Sequence, residues 1–169
     1  MKSFMCNPRF WFAVFAGFSI FSLSAAFIAQ YVFDLAPCNL CIIQRYPFAI
    51  IMILGIIGFF LSQAKYQAAF FGLIGVSFAG NGMVAFYHTG VEQKWWKSAL
   101  EGCNVPDLGD SAEDIIARIE AQTEVVRCDE IPWQDPILGL SMANYNAMAG
   151  FVFAGLAFFV MYRVLKRSA

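Results

Sequence analysis

Phe10 to Phe33 reads FWFAVFAGFSIFSLSAAFIAQYVF, 24 residues without one charged side chain. A helix needs about 20 apolar residues to cross a bilayer core of about 30 Å, so this stretch is long enough to span one. Three further charge-free runs follow, Pro47 to Gln63, Gln67 to Tyr87 and Pro136 to Tyr162. Of the 169 residues 60% are hydrophobic and 14% charged, outside the usual range of a soluble globular domain. Within lipid only helices and closed barrels satisfy every backbone polar group, and these runs lack the alternation of a barrel strand. The expected fold is all-α, an integral membrane four-helix bundle in a single domain. Its spans are expected at about residues 10–33, 43–62, 67–87 and 143–162.

Basic residues give the bundle an orientation. Lys2 and Arg9 precede the first span, Lys65 lies between the second and third, and Arg163, Lys166 and Arg167 follow the fourth. The excess of Lys and Arg marks the cytoplasmic side, so both termini are expected inside. Every acidic residue, from Asp34 through Asp135, falls in the two segments on the other face, the outer loops at about 34–42 and 88–142. A cleavable signal peptide is the competing reading of the first span, with Ser22, Ser24, Ala25 and Ala26 as a small-residue cleavage region. A signal core runs 7–15 residues, well short of this one, and its removal would put the termini on opposite sides. Retention is the simpler account.

The second outer segment holds most of the charge and three of the four tryptophans. Two short helices are expected in it. Val91, Trp95, Trp96, Ala99 and Leu100 recur at helical spacing with Glu92, Lys94 and Lys97 between them, which suits a helix lying in the headgroup layer. A second is expected to start at Ser111, with Asp114 placed as in a capping box and Ile115, Ile116 and Ile119 as its apolar side. Within the spans, Asn81 and Gln30 read as interhelical hydrogen-bonding groups, and Gly72, Gly75, Gly80 and Gly82 as sites of close helix packing.

Topology sorts the five cysteines. Cys6 falls on the cytoplasmic side, where thiols stay reduced, whereas Cys38, Cys41, Cys103 and Cys128 fall outside. Four cysteines admit three pairings, and spacing alone does not choose, although Cys38 and Cys41 are near enough in sequence to pair in a turn. The segment PCNLCIIQRYP, Pro37 to Pro47, places Cys41 where the second span begins. Unpaired N–H groups at a helix N-terminus favour an anion, and Arg45, four residues on, is expected on the same helical face. Both effects favour a thiolate at Cys41. A zinc site is not expected, since His88 is the only histidine and no four-ligand spacing is present. Nor is there a glycine-rich nucleotide motif, and no nucleic-acid partner is indicated.

The motif Cys38-x-Leu40-Cys41-x-x-Gln44-Arg45, the four-span arrangement and the cysteine pair in the long outer loop together resemble the DsbB family of disulfide bond formation proteins. Tyr87-His88-Thr89-Gly90-Val91-Glu92, Cys128-Asp129-Glu130-x-Pro132-Trp133 and Leu138-Gly139-Leu140-Ser141-Met142 carry the resemblance further. It covers essentially the whole chain. The resemblance implies a quinone-dependent thiol oxidase of the bacterial inner membrane, monomeric, with its active face toward the periplasm. A DsbA-like thioredoxin-fold oxidase would attack Cys103 and release Cys128, which would attack Cys38 and free Cys41 to meet ubiquinone or menaquinone. Arg45, Gln44, His88 and Met142 would bind that quinone. A DsbA-like partner is itself a strong oxidant, so its reoxidation calls for a still better acceptor, which a respiratory quinone supplies. Two other readings compete. A vitamin K epoxide reductase-like enzyme would have its C-x-x-C late in the chain rather than first, and a non-enzymatic scaffold would use its disulfides only as braces.

Overall fold

The computed structural model describes residues 7–100, 103 and 126–168. Five helices and no strand occur among the described residues: α1 (Pro8–Tyr31), α2 (Asn39–Ile43), α3 (Arg45–Phe60), α4 (Ala64–Glu92) and α5 (Met142–Ser168). Together α2 and α3 make one span, so four helical segments are long and apolar enough to cross a membrane. The chain is a multi-pass helical membrane protein. Cys6 and the helix expected from Ser111 lie outside the described residues.

Local chemistry sets the helix ends. The side chain of Asn7 accepts the Arg9 N–H at 3.0 Å, and Pro8, which has no N–H to satisfy, opens α1. Between α2 and α3 the helix is interrupted at Gln44. Pro47 supplies the reason, because it cannot donate to the carbonyl of Ile43 and its ring crowds that carbonyl. α4 runs on past Tyr87 for another five residues to Glu92.

Facing helices meet through aromatic rings and small residues. Phe12 of α1 stacks on Phe71 of α4 with ring centroids 4.0 Å apart, and Phe18 stacks on Phe153 of α5 at the same distance. In lipid, contact between helices gains nothing from excluding water, so close packing must hold them. Gly82 and Gly150 bring the α4 and α5 backbones together: a Cβ on Gly150 would lie 2.7 Å from the Gly82 Cα. Gly55 lets α3 settle against Ala16 of α1 in the same manner. Gly72, Gly75 and Gly82 sit at helix contacts as expected, while Gly80 faces open space. Asn81 donates to Asn146 across α4 and α5, and Gln30 of α1 accepts from Arg45 of α3, so both polar residues do bridge helices.

One expectation fails. Val91 to Leu100 is not an interfacial helix, because α4 stops at Glu92. There Lys94 takes a left-handed φ of 59°. Trp95 N–H donates to Gly90 C=O and Lys94 N–H to Val91 C=O, the paired bonds of a Schellman stop. The chain then folds back: the Trp96 indole N–H donates to Tyr87 C=O at 3.1 Å, and the two rings stack. Only glycine fits at position 90, since a Cβ there would enter the Trp96 ring.

Candidate functional site

The end of α1, the start of α2, the end of α4 and the start of α5 converge at one end of the bundle. Cys38 is the N-cap of α2, and its Sγ accepts the Cys41 N–H at 3.4 Å. The Cys38 and Cys41 sulfurs are 3.1 Å apart as a dithiol. Nε2 of His88 lies 3.6 Å from the Cys38 sulfur. Three polar groups thus surround the Cys38 sulfur: the Cys41 N–H, the Cys41 sulfur and the His88 imidazole. The hydrogen bond from Cys41, joined by that from His88, holds the Cys38 thiol well below its ordinary pKa against the upward push of burial.

This geometry corrects the sequence expectation of an anion site at Cys41. The capping position belongs to Cys38, one turn earlier. Arg45 is also turned away: its guanidinium donates to Gln30 Oε1 at 2.7 Å and lies 5.0 Å from the centre of the Phe27 ring. Gln44 keeps right-handed helical dihedrals, and Arg45 takes its partners from α1. Among the described residues, the group that meets the cysteine sulfur is His88.

Behind His88 runs a ladder of buried amides. Gln44 Nε2 donates to His88 Nδ1 at 3.0 Å, Asn146 Nδ2 donates to Gln44 Oε1, and Asn81 Nδ2 donates to Asn146 Oδ1 at 2.8 Å. Because Gln44 presents an N–H, Nδ1 is an acceptor and the proton of the neutral imidazole sits on Nε2. That N–H points toward Cys38 and also toward Glu92, whose Oε1 is 3.7 Å away. The other carboxylate oxygen of Glu92 accepts from Ser141 Oγ, and the same hydroxyl accepts the Asn144 N–H at the start of α5.

Cys103 and Cys128 form a disulfide, and both residues are 0% exposed. They share one buried cluster with Cys38, Leu40 and Val91, which Cys41 and Leu100 border. The two cysteine pairs therefore belong to the same packed region. Met142 begins α5 and is largely exposed, whereas its neighbour Ser141 reaches the buried network. Of the residues singled out from sequence, the four cysteines, Gln44 and His88 come together, while Arg45 and Met142 lie at the margin. Cys38, Cys41 and His88 thus bring their two sulfurs and a ring nitrogen within 4.8 Å of one another, a grouping that no sequence spacing betrays. Sequence reasoning missed Glu92, Ser141 and Asn146. Only the four-residue interval from His88 to Glu92 could have signalled a pair on one helix face.

The family model for disulfide bond formation protein DsbB matches residues 8–160. A disulfide bond formation protein B of Dechloromonas aromatica is 32% identical over 171 residues, covering 93% of this chain and 90% of its own. Proteins of the same description from Marinobacter nauticus and Stutzerimonas stutzeri are 26% and 24% identical, covering 83% and 97% of this chain and 84% and 99% of their own. No solved structure matches. A membrane bundle that gathers a C-x-x-C dithiol and a second, disulfide-bonded pair at one end is an arrangement for disulfide exchange, and the chain belongs to the DsbB family of membrane disulfide bond formation proteins.

Proposed function

We propose that this chain is a thiol:quinone oxidoreductase of the bacterial inner membrane, which reoxidises a periplasmic DsbA-like protein and passes the electrons to a membrane quinone. One observation carries the reading: a Cys38/Cys41 dithiol and a Cys103–Cys128 disulfide share one buried cluster. That proximity would let electrons pass from one cysteine pair to the other. The partner's two thiols reduce Cys103–Cys128 and leave as a disulfide. The Cys103/Cys128 dithiol then reduces Cys38–Cys41 and is itself reoxidised. Cys38 suits the exchange step, since a sulfur stabilised as thiolate leaves readily. Burial of Cys103 and Cys128 adds a requirement, namely that this disulfide becomes exposed before the partner attacks.

The residues around the dithiol fit a quinone. Cys41 is half-buried, Ile42 and Ile43 beside it face outward, and the Arg45 guanidinium lies over Phe27 on the flank of the span, so a flat apolar headgroup has access from lipid. When bound, a quinone supplies an acceptor for two electrons and two protons. Arg45 and Met142 would hold it from the margin, and His88 from the dithiol. Gln44, buried between His88 and Asn146, would act by fixing the imidazole. Basic residues at the opposite end support a cytoplasmic position for that end.

Purified protein supplied with ubiquinone or menaquinone and a reduced thioredoxin-fold oxidase tests the reading. Thiol loss should match quinol formation, and Cys41→Ser should abolish both. Cys128→Ser should trap the partner on Cys103. Absence of turnover with either quinone, or full activity in Cys41→Ser, would overturn it.

A further inference from the structure

Glu92 is 7% exposed at the end of α4. Ser141 Oγ donates to one oxygen, and the other faces His88 Nε2 at 3.7 Å. No Lys or Arg side chain pairs with it among the described residues. The titratable groups facing it are His88 on its own helix and the Cys38 and Cys41 thiols at the start of α2. A buried carboxylate with such thin support keeps its charge only while its donors serve it.

Here one donor has two claimants. The Nε2–H of His88 lies between the Glu92 carboxylate and the Cys38 sulfur, at 3.7 and 3.6 Å. His88 cannot offer a second N–H from its other nitrogen, because Nδ1 is committed to the amide of Gln44. Gln44 cannot turn over by itself either, since Asn146 donates to its carbonyl and Asn81 donates to Asn146. While Cys38 is held in a disulfide its sulfur carries no charge, and the N–H is free to serve Glu92. Once Cys38 becomes a thiolate the N–H turns to sulfur, and Glu92 keeps only Ser141. Two buried anions then compete for one proton donor.

We infer that Glu92 is the redox-linked proton acceptor of the dithiol centre, taking up one proton when Cys38–Cys41 is reduced and releasing it when the disulfide reforms. The reductant is a dithiol, R(SH)2. The Cys38–Cys41 bond breaks, two electrons and two protons come from the reductant, and the reductant leaves as its cyclic disulfide. One proton ends on the Cys41 sulfur and the other on Glu92, while Cys38 remains a thiolate. The net charge of the site stays at that of a single anion before and after. His88 keeps its proton throughout and acts as a positioning residue that switches its N–H between the two acceptors.

The inference rests on the proposed function only in treating Cys38–Cys41 as a couple that cycles. Its test therefore uses quinone-free full-length protein in detergent, reduced with dithiothreitol and followed by infrared difference spectroscopy in H2O and D2O. Reduction should produce a protonated-carboxyl C=O band that shifts in D2O. Glu92→Gln should lack the band, Glu92→Asp should retain it at a shifted position, and Ser141→Ala should move it without removing it. Circular dichroism on each variant establishes that it is folded. A band that persists in folded Glu92→Gln assigns the proton elsewhere and overturns the inference, as does a wild-type spectrum without any such band. Turnover with quinone is measured separately, so an inactive protein that still shows the band would sink the functional reading and leave this one standing.

Discussion

The Cys38 sulfur lies 3.6 Å from Nε2 of His88, a residue fifty positions further along the chain. This approach joins the start of the second span to the end of the third and adds to the hydrogen bond from Cys41 in favouring a thiolate at Cys38. A hydrogen bond to a charged group is worth about 1.5–3 kcal/mol, enough to outweigh the weaker preferences of sequence position.

The first prediction concerns pH. Cys38 is held below the ordinary thiol range, so in reduced, quinone-free protein its alkylation should begin at lower pH than that of a free thiol. His88→Leu removes the Nε2–H and should raise the midpoint. At 1.36 kcal/mol per pKa unit, the expected rise is roughly one to two units. Site-resolved mass spectrometry of iodoacetamide-labelled Cys38 across pH measures it, and an unchanged midpoint would mean that His88 does not stabilise the thiolate.

Arg45 should behave differently. It contacts Gln30 and Phe27, so Arg45→Ala is expected to leave the Cys38 alkylation profile in place while raising the KM for added quinone. A tenfold rise corresponds to about 1.4 kcal/mol. A shifted alkylation profile with unchanged KM would restore the sequence-based placement of Arg45 over the thiolate.

The contrast between those two residues shows how far the sequence can be read. The spans are legible because a bilayer imposes a minimum length on an uncharged run, and PCNLCIIQRYP locates the dithiol at a span boundary. Its finer geometry is hidden because Arg45 takes its partners, Gln30 and Phe27, from another span. The end of α4 is equally opaque. Lys94, not glycine, takes the left-handed position, and the clue is displaced to Gly90, under the Trp96 ring. Ser141 and Asn146 are short polar residues near a helix start, and nothing local reveals that they reach α4 and α2.

Helix packing gives a third prediction. Gly150→Ala places a methyl against the Gly82 backbone, where no flexible side chain can yield. Overpacking of this kind costs about 1–3 kcal/mol, and the α4–α5 contact also carries the Asn81–Asn146 hydrogen bond. Thermal unfolding in detergent should occur at lower temperature. Gly80→Ala meets no atom within 4 Å and should be neutral, or more stable by up to about 1 kcal/mol from helix propensity. Equal effects at both positions would count against the close approach.

Access to the Cys103–Cys128 disulfide should depend on the fold-back after α4. Trp96 rests on Gly90 and is tied to Tyr87, Tyr87 Oη accepts the Ala99 N–H at 2.8 Å, and Leu100 borders the cluster that buries the disulfide. Gly90→Val forces the Trp96 ring off the helix and loosens this chain of contacts from its first member. The disulfide, 0% exposed when the contacts are intact, should then be reduced faster by glutathione, a reagent that must reach sulfur directly. The change should be confined to that pair, because Cys38 is held by Cys41 and His88 rather than by Trp96. Reduction of Gly90→Val at the wild-type rate would mean that the burial of Cys103 and Cys128 does not depend on the Trp96 fold-back. Faster reduction with an unaltered Cys38 alkylation profile would place the opening needed for partner attack at the Trp96 fold-back.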